Sequence, residues 1–258
     1  MTPFSSQITA SIEYAAELLR KAKYAVVLTG AGISTPSGIP DFRSEGTGLW
    51  SGDELMEVAS LSTFRIDPER FFVWFRPLAG QIFSADPNPA HIALAQLEEA
   101  GRIKSVITQN IDALHHKAGS KNVIEMHGTL RTLSCTQCFH QTEAQNYLRA
   151  YVEHGEIPCC PECNGVMKPD IILYGEQLPQ QAWYDAQREC RQCDLILVAG
   201  SSLEVLPVAG LPMQAVDRGA HLVILNNATT YLNVRADVVI QEDVADIIPA
   251  IGEQVFNG

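Results

Sequence analysis

The chain has 258 residues, 46% of them apolar and 19% charged, with a net charge of −12. That composition supports a buried core in one large domain or two modest ones and excludes a disordered polymer. So acidic a chain is a poor direct binder of nucleic acid, whose phosphates are neutralised by Lys and Arg, and no apolar run approaches the ~18 residues that read as a membrane span.

The N-terminus lacks a basic stretch followed by an apolar core, so no signal peptide is expected and the location is read as cytoplasmic. Residues 8–22 place Ile12, Ala15, Ala16 and Leu19 on one helical face. "YAVVLTG" (24–30) is a short apolar strand, and it runs into "TGAGISTPSGIPDFRS" (29–44). Gly30 and Gly32 open like a dinucleotide loop, where glycine allows close approach and backbone N–H groups meet a diphosphate. Thr35 stands where the third glycine belongs, and Pro36, Gly38 and Pro40 follow where a helix would run.

Residues 44–88 are rich in aromatics, carry Pro68, Pro77 and Pro87, and read as helices and loops. A helix is expected over 89–101. Further apolar runs follow: "SVITQNID" (105–112), "NVIEMHG" (122–128), "LILVAGSS" (195–202), "HLVILNN" (221–227) and, more weakly, "DVVIQ" (237–241). A helix is also expected over 203–218. Apolar runs without alternation suit strands covered on both faces, and their alternation with helices predicts an α/β fold, a parallel sheet with helices on both sides. Several strands end in polar clusters, and ligands of such sheets bind at the carboxyl ends of strands. Taken singly, the Gly, Asn and Ser residues there are ordinary turn formers. That reading leaves Gln109, Asn110, Asp112 and His127 without a reason.

"CTQC" (Cys135, Cys138) and "CPEC" (Cys160, Cys163) lie between these strands, in residues 129–167. Two such knuckles match a four-thiolate zinc ribbon, a closed and therefore structural site. Cys159 adjoins Cys160, and the C-x-x-C spacing to Cys163 favours Cys160. "CRQC" (Cys190, Cys193) falls on an expected helix, where thiols at i and i+3 share a face; these are read as packing residues.

"GAGIS", "GIPDFRS", "TQNID", the "HG" at 127–128, the paired knuckles and "GSSLEV" occur in the order found in sirtuins, the NAD-dependent protein-lysine deacylases. The chain resembles that family from about Tyr24 to about Asp246, with "NPAHIALAQLEEAG" and "YGEQLP" similar too. The resemblance implies a Rossmann-like NAD-binding domain (1–43, 89–128 and 168–258) and a small domain of a helical module (44–88) and a zinc module (129–167). It implies NAD as co-substrate, one structural Zn2+, and acylated-lysine proteins or peptides bound as an added strand. Gly30, Ala31, Gly32, Ser34 and Thr35 would approach the phosphates, with Phe42 and Arg43 in a cofactor loop. Gln109, Asn110, Ile111 and Asp112 would line the ribose and nicotinamide pocket. Gly200, Ser201, Ser202 and Asn226 would hold the adenosine half, with Val244 near the adenine.

The resemblance further implies transfer of the acyl group to ADP-ribose with release of nicotinamide. His127 would be the general base, since imidazole titrates near neutral pH, and Asn110 would orient water or nicotinamide. His115 and His116 are poorer candidates, on an expected helix where one packs and the other is exposed. Tyr174, Gly175 and Glu176 are assigned to the peptide site. Relatives that favour acidic acyl groups carry Y-x-x-R in the helical module; here Phe72 and Phe75 stand at those places and Arg76 comes one place late. A neutral acyl pocket, for acetyl and longer chains, is therefore expected. The competing functions are protein mono-ADP-ribosylation, which cleaves the same bond, and a non-catalytic zinc-ribbon adaptor.

Overall fold

Residues 4–41 and 56–258 are described by the computed structural model. Strand β1 (Ala25–Thr29) is buried along its whole length. Its alternate residues serve two cores: Ala25 and Val27 pack into one apolar cluster, Val26 and Leu28 into another. That is the physical origin of the unbroken apolar run, because strand side chains alternate between faces and both faces are covered. β7 (Leu195–Ala199) and β8 (His221–Leu225) divide their apolar residues between the same two clusters, and β2 (Ile103–Thr108) sends Val106 to one and Ile107 to the other.

With β3 (Val123–Glu125) and β9 (Val238–Ile240) these strands form a six-stranded sheet in the order β3-β2-β1-β7-β8-β9. Every neighbouring pair is parallel. The order reverses between β1 and β7, and a crevice opens at such a reversal, beyond the carboxyl ends of the strands. Helices α1 (Ser6–Lys21), α4 (Pro89–Glu99) and α9 (Val244–Asn257) cover one face. Helices α7 (Gln180–Gln192) and α8 (Leu211–Val216) cover the other. Capping follows the sequence: Ser5 and Asn88 accept the N–H groups of Ile8 and Ala90 at the starts of α1 and α4.

The helix expected over 203–218 is not continuous. A 3-10 turn at Val208–Gly210 precedes α8, which begins at Leu211. Pro207 has no N–H to donate and restricts the residue before it, whereas Pro212 is tolerated in the first turn of α8.

A second body of structure is built from α2 (Leu61–Ile66), α3 (Pro68–Ser84), β4 (Gly128–Cys135), β5 (Gln141–Glu143), α6 (Gln145–His154) and β6 (Met167–Ile171). The three strands form an antiparallel sheet, β5-β4-β6. Because β6 pairs with β4, this sheet runs through Ile171, past the residue-167 boundary expected from the cysteines. The helical and zinc-bearing segments share one core of Phe71, Phe72, Phe75, Leu78 and Tyr151. Tyr151 donates to the Phe72 carbonyl at 2.6 Å. Arg76 donates to the Val152 and Glu153 carbonyls at 2.9 and 2.8 Å, satisfying the carboxyl end of α6. Among the described residues no helix is long and apolar enough to cross a membrane.

At the strand-order reversal the backbones touch. Gly200 is left-handed (φ 61°), and a Cβ there would lie 2.5 Å from the Gly32 carbonyl carbon and closer still to the Ile33 nitrogen. Gly200→Ala is expected to cost about 3 kcal/mol or more, the range of severe backbone conflicts, read as a lowered midpoint in denaturant unfolding. A midpoint within experimental error of the parent would contradict this packing.

Candidate active site

A cleft of about 830 Å3 lies along the carboxyl ends of β1 and β2. One wall carries Ala31, Ser34, Gln109, Asn110, Ile111, Asp112 and His127; the facing wall carries Phe71, Trp74, Phe75, Leu78 and Ile82. Tyr174, Gly175 and Glu176 also line it.

The glycine loop has a steric reason within the sheet. A Cβ on Gly30 or Gly32 would meet the Gly200 carbonyl oxygen at 2.9 Å. Their N–H groups donate to the Ala199 and Gly200 carbonyls at 3.2 and 2.8 Å. These glycines therefore seat β1 against the end of β7, while Ala31 and Ser34 present themselves to the cleft. Two 3-10 turns follow, Ala31–Ile33 and Thr35–Ser37, and the second ends on left-handed Gly38. Thr35 is exposed, bonds back to the Gly32 carbonyl and does not line the cleft. Phe42 and Arg43 lie outside the described residues.

The end of β2 supplies the centre of the site. The Gln109 N–H donates to the Thr29 carbonyl at 3.0 Å, and its side-chain amide donates to Ser201 Oγ at 3.3 Å. Asn110 Nδ2 donates to the Gly30 carbonyl and to Ser34 Oγ, both at 3.1 Å. Ser34 in turn donates to Asp112 at 2.7 Å, and the Leu114 N–H donates to the other Asp112 oxygen at 2.9 Å. Burial pushes the Asp112 carboxyl above the usual carboxylate range, opposed by those two donors.

His127 follows β3 and precedes β4. Its Nδ1 lies 2.9 Å from the Gln109 carbonyl. A carbonyl only accepts, so Nδ1 carries the proton and Nε2 carries the lone pair. Burial lowers the His127 pKa, and the Gln109 carbonyl opposes this without overturning it. The ring is thus a neutral base at pH 7 with a fixed tautomer. The glycine of the "HG" pair has a steric reason: Gly128 is left-handed (φ 78°), and a Cβ there would overlap the Asp170 carbonyl.

Gly200, Ser201, Ser202, Asn226 and Val244 stand along the same carboxyl edge but outside the cleft lining. Ser201 is buried and ties strand ends together, accepting from Gln109 and from the Leu203 N–H. Asn226, at the end of β8, donates to the Ala228 carbonyl at 2.8 Å. Val244 is buried in the first turn of α9, within the core shared with α1. Of the two histidines on α5 (Leu114–Ala118), His115 is fully buried, while His116 is partly buried, 3.6 Å from Glu125, rather than exposed.

One acyl-pocket assignment is corrected. Phe75 lines the cleft, but Phe72 is turned away and packs edge-on against Tyr151. Successive residues on a helix point about 100° apart, and the cleft takes Phe71, Trp74, Phe75 and Leu78. Arg76 is spent on α6. Tyr174 is held by backbone bonds to Ala59 and Leu61. Glu176 is paired with Lys168 at 3.0 Å. The sequence reading missed Ile39, Ile171, Leu173, Trp183 and Val205 in the lining. They are scattered apolar residues with no periodicity to mark them.

The ligating atoms of Cys135, Cys138, Cys160 and Cys163 all lie within 4.8 Å of one another. Several pairs are 3.5 Å apart, near the roughly 3.8 Å expected for sulfurs about 2.3 Å from a shared tetrahedral zinc. The quartet therefore fits zinc in a closed site. Cys159 stands outside it, exposed, with its thiol toward the Ile157 carbonyl. Cys190 and Cys193 are buried against the sheet, and burial raises both thiols, Cys193 to about 12.

Comparison with known proteins agrees with this geometry. Residues 30–207 match the model of the Sir2 family. The chain is 44% identical over 245 residues to NAD-dependent protein deacylase 2 of Archaeoglobus fulgidus, covering 95% of this chain and 96% of that one. A solved structure of a Sir2 protein with a p53 peptide and NAD+ superposes with a TM-score of 0.84 at 39% identity, covering 94% and 97% of the two chains. Another, of a Sir2 protein bound to a propionylated peptide, gives 0.85 at 37% identity, covering 96% and 99%.

Cys160→Ser is expected to abolish stable zinc binding, whereas Cys159→Ser retains about one zinc per chain, as a closed four-ligand site requires. Metal analysis of the two purified variants checks this; the reverse pattern would move the site by one residue.

Proposed function

Since this chain belongs to the Sir2 family and is an NAD-dependent protein deacylase, we propose that His127 is its general base and that Asn110, Ser34 and Asp112 order the reacting end of the cleft. The observation that carries the assignment is the bond from His127 Nδ1–H to the Gln109 carbonyl, which leaves Nε2 as the proton acceptor. The cleft residues fit a nicotinamide–ribose group: an amide, a hydroxyl and a carboxyl converge there, and no Lys or Arg is among the described lining residues.

NAD supplies the electrophile, because loss of nicotinamide leaves positive charge at the ribose carbon, which the amide oxygen of an acyl-lysine captures. The protein's part is positional and electrostatic. Asn110 is held by Gly30 and Ser34, so its amide is already oriented before substrate arrives. The aromatic wall of Phe71, Trp74 and Phe75 excludes water, which would otherwise compete for the same carbon. His127 Nε2 removes a ribose hydroxyl proton so that this oxygen attacks the acyl carbon. The carbon–nitrogen bond to lysine then breaks, the amine leaves with the proton that His127 took, and a water adds to the acyl carbon, so that free lysine and acylated ADP-ribose are the products.

The acyl group lies against the apolar wall in this reading, and acylated lysine in an extended peptide enters beside Tyr174–Glu176 as an added strand. With no cation in the described wall, acyl groups that end in a carboxylate are disfavoured. A reducing, cytoplasmic setting belongs to the same proposal, since the four knuckle cysteines are placed to hold a metal rather than to pair as disulfides.

His127→Ala is expected to keep its fold and zinc and to lose deacylation by a factor of about 100 or more, the range for general bases, in a steady-state assay with an acetyl-lysine peptide; normal turnover would overturn the assignment. The base must be unprotonated and its pKa is depressed, so the acid limb of kcat/KM is expected below the ordinary histidine value of 6.5. A limb above that value would contradict the burial argument. In parallel assays, acetyl-lysine is expected to react at least about tenfold faster than succinyl-lysine, the cost of roughly one unpaired charge in an apolar wall.

A further inference from the structure

His115 lies outside the cleft lining, yet it is bonded into the site. Its ring is 2% exposed, on α5 behind the ends of β1 and β2. Its Nε2 lies 2.9 Å from Thr29 Oγ1. Thr29 gives its own hydroxyl proton to Thr108 Oγ1 at 2.9 Å, across the register that pairs these two residues at the sheet edge. A hydroxyl has one proton. With that proton committed to Thr108, His115 must be the donor, as the Nε2–H tautomer. Burial holds the His115 pKa well below its ordinary value, so the ring is a neutral donor at pH 7.

Two lines run from this bond to the reacting groups. Thr108 Oγ1 accepts the N–H of Asn110 at 3.1 Å, the first residue past the ladder. The Thr29 carbonyl accepts the N–H of Gln109 at 3.0 Å, and the Gln109 carbonyl accepts Nδ1–H of His127 at 2.9 Å. His115 thus sets the direction of the hydroxyl chain and stands three bonds from the general base.

Packing alone does not account for an imidazole here. His115 meets His91 edge-on with ring centroids 4.8 Å apart. His91 is wholly buried, and neither of its nitrogens, nor Nδ1 of His115, has a hydrogen-bond partner among the described residues. Buried polar atoms without partners are destabilising, so a phenyl ring would pack more favourably at 115. The one bond that His115 makes is what a phenyl ring would lose.

We propose that His115 is a positioning residue of the deacylase reaction, fixing Thr29 and Thr108 so that Gln109 and Asn110 hold His127 and the nicotinamide-ribose end in register. This rests on the assignment of His127 as base, so one readout must be independent of turnover. The test compares His115→Phe, His115→Gln and the control His91→Phe in the zinc-loaded protein. It measures Tm, kcat and KM for NAD with an acetyl-lysine peptide, and the nitrogen-15 signals of the His127 ring.

His115→Phe is expected to keep or raise Tm, to lower kcat about tenfold or more with KM for NAD changed less than about threefold, and to reduce the fraction of His127 in the Nδ1–H tautomer. His115→Gln, which restores a neutral donor, is expected to recover most of kcat, and His91→Phe to stay within about twofold of the parent. Should His115→Phe fail to fold, Thr29→Val removes the acceptor of the same bond and is expected to lower kcat likewise. Unchanged kcat in His115→Phe would overturn the proposal. So would equal losses in His115→Phe and His91→Phe, or an unaltered His127 ring spectrum. The ring spectrum needs no turnover, so it tests the positioning even if another group proves to be the base.

Discussion

Between Gly30 and Gly32 on one side and Gly200 on the other there is no space for a side-chain carbon. The Gly32 N–H meets the Gly200 carbonyl at 2.8 Å. This backbone-to-backbone contact sits where the strand order reverses, and the site is arranged around it. It turns the chain after β1 so that Ala31 and Ser34 face the cleft. It also brings Ser201 within reach of Gln109, which joins the ends of β7 and β2. Side chains from well-separated parts of the sequence then meet at strand ends tied by hydrogen bonds, the arrangement that catalysis by orientation needs.

The electrostatics of the cleft follow from burial. Desolvation moves His127 down and Asp112 up, in each case toward the neutral form. For His127 that means an unprotonated ring when substrate arrives. For Asp112 the two donors, Ser34 and the Leu114 N–H, keep the carboxyl oriented whatever its charge. The cleft thus presents fixed dipoles and lone pairs, with no Lys or Arg in the described wall, and in the proposed reaction these face the centre that becomes positive. The second body contributes differently. Arg76 and Tyr151 tie α3, the helix of the aromatic wall, to α6, which lies in sequence between the two cysteine knuckles.

Much of this was legible in the sequence, for identifiable physical reasons. Strands buried on both faces read as unbroken apolar runs, and the polar residues that end them mark the carboxyl edge of the sheet. The cysteine spacing carries its own geometry, and Cys160 rather than Cys159 joins the quartet as the spacing indicates. Other features were hidden because they depend on packing partners far away in the chain. Gly30 and Gly32 read as a phosphate loop, and their close fit against Gly200 shows only in the fold. Phe72 and Phe71 differ by one helical step, which no local pattern resolves, and only the fold turns Phe71 and Trp74 inward. Pro207 was visible, but apolar residues around it still read as a helix. Nothing in the sequence tells which of His115 and His116 packs, and the tie of His115 to Thr29 exists only once β1 and β2 are side by side.

The central claim is that His127 acts after nicotinamide has left, as the acceptor of a ribose hydroxyl proton. Rapid-quench kinetics of His127→Ala with NAD and an acetyl-lysine peptide separates the two halves of the reaction. Nicotinamide is expected to appear in a burst of about one equivalent per site, with O-acetyl-ADP-ribose forming at least about a hundredfold more slowly than in the parent. Formation of that product at the parental rate, or absence of the nicotinamide burst, would contradict it.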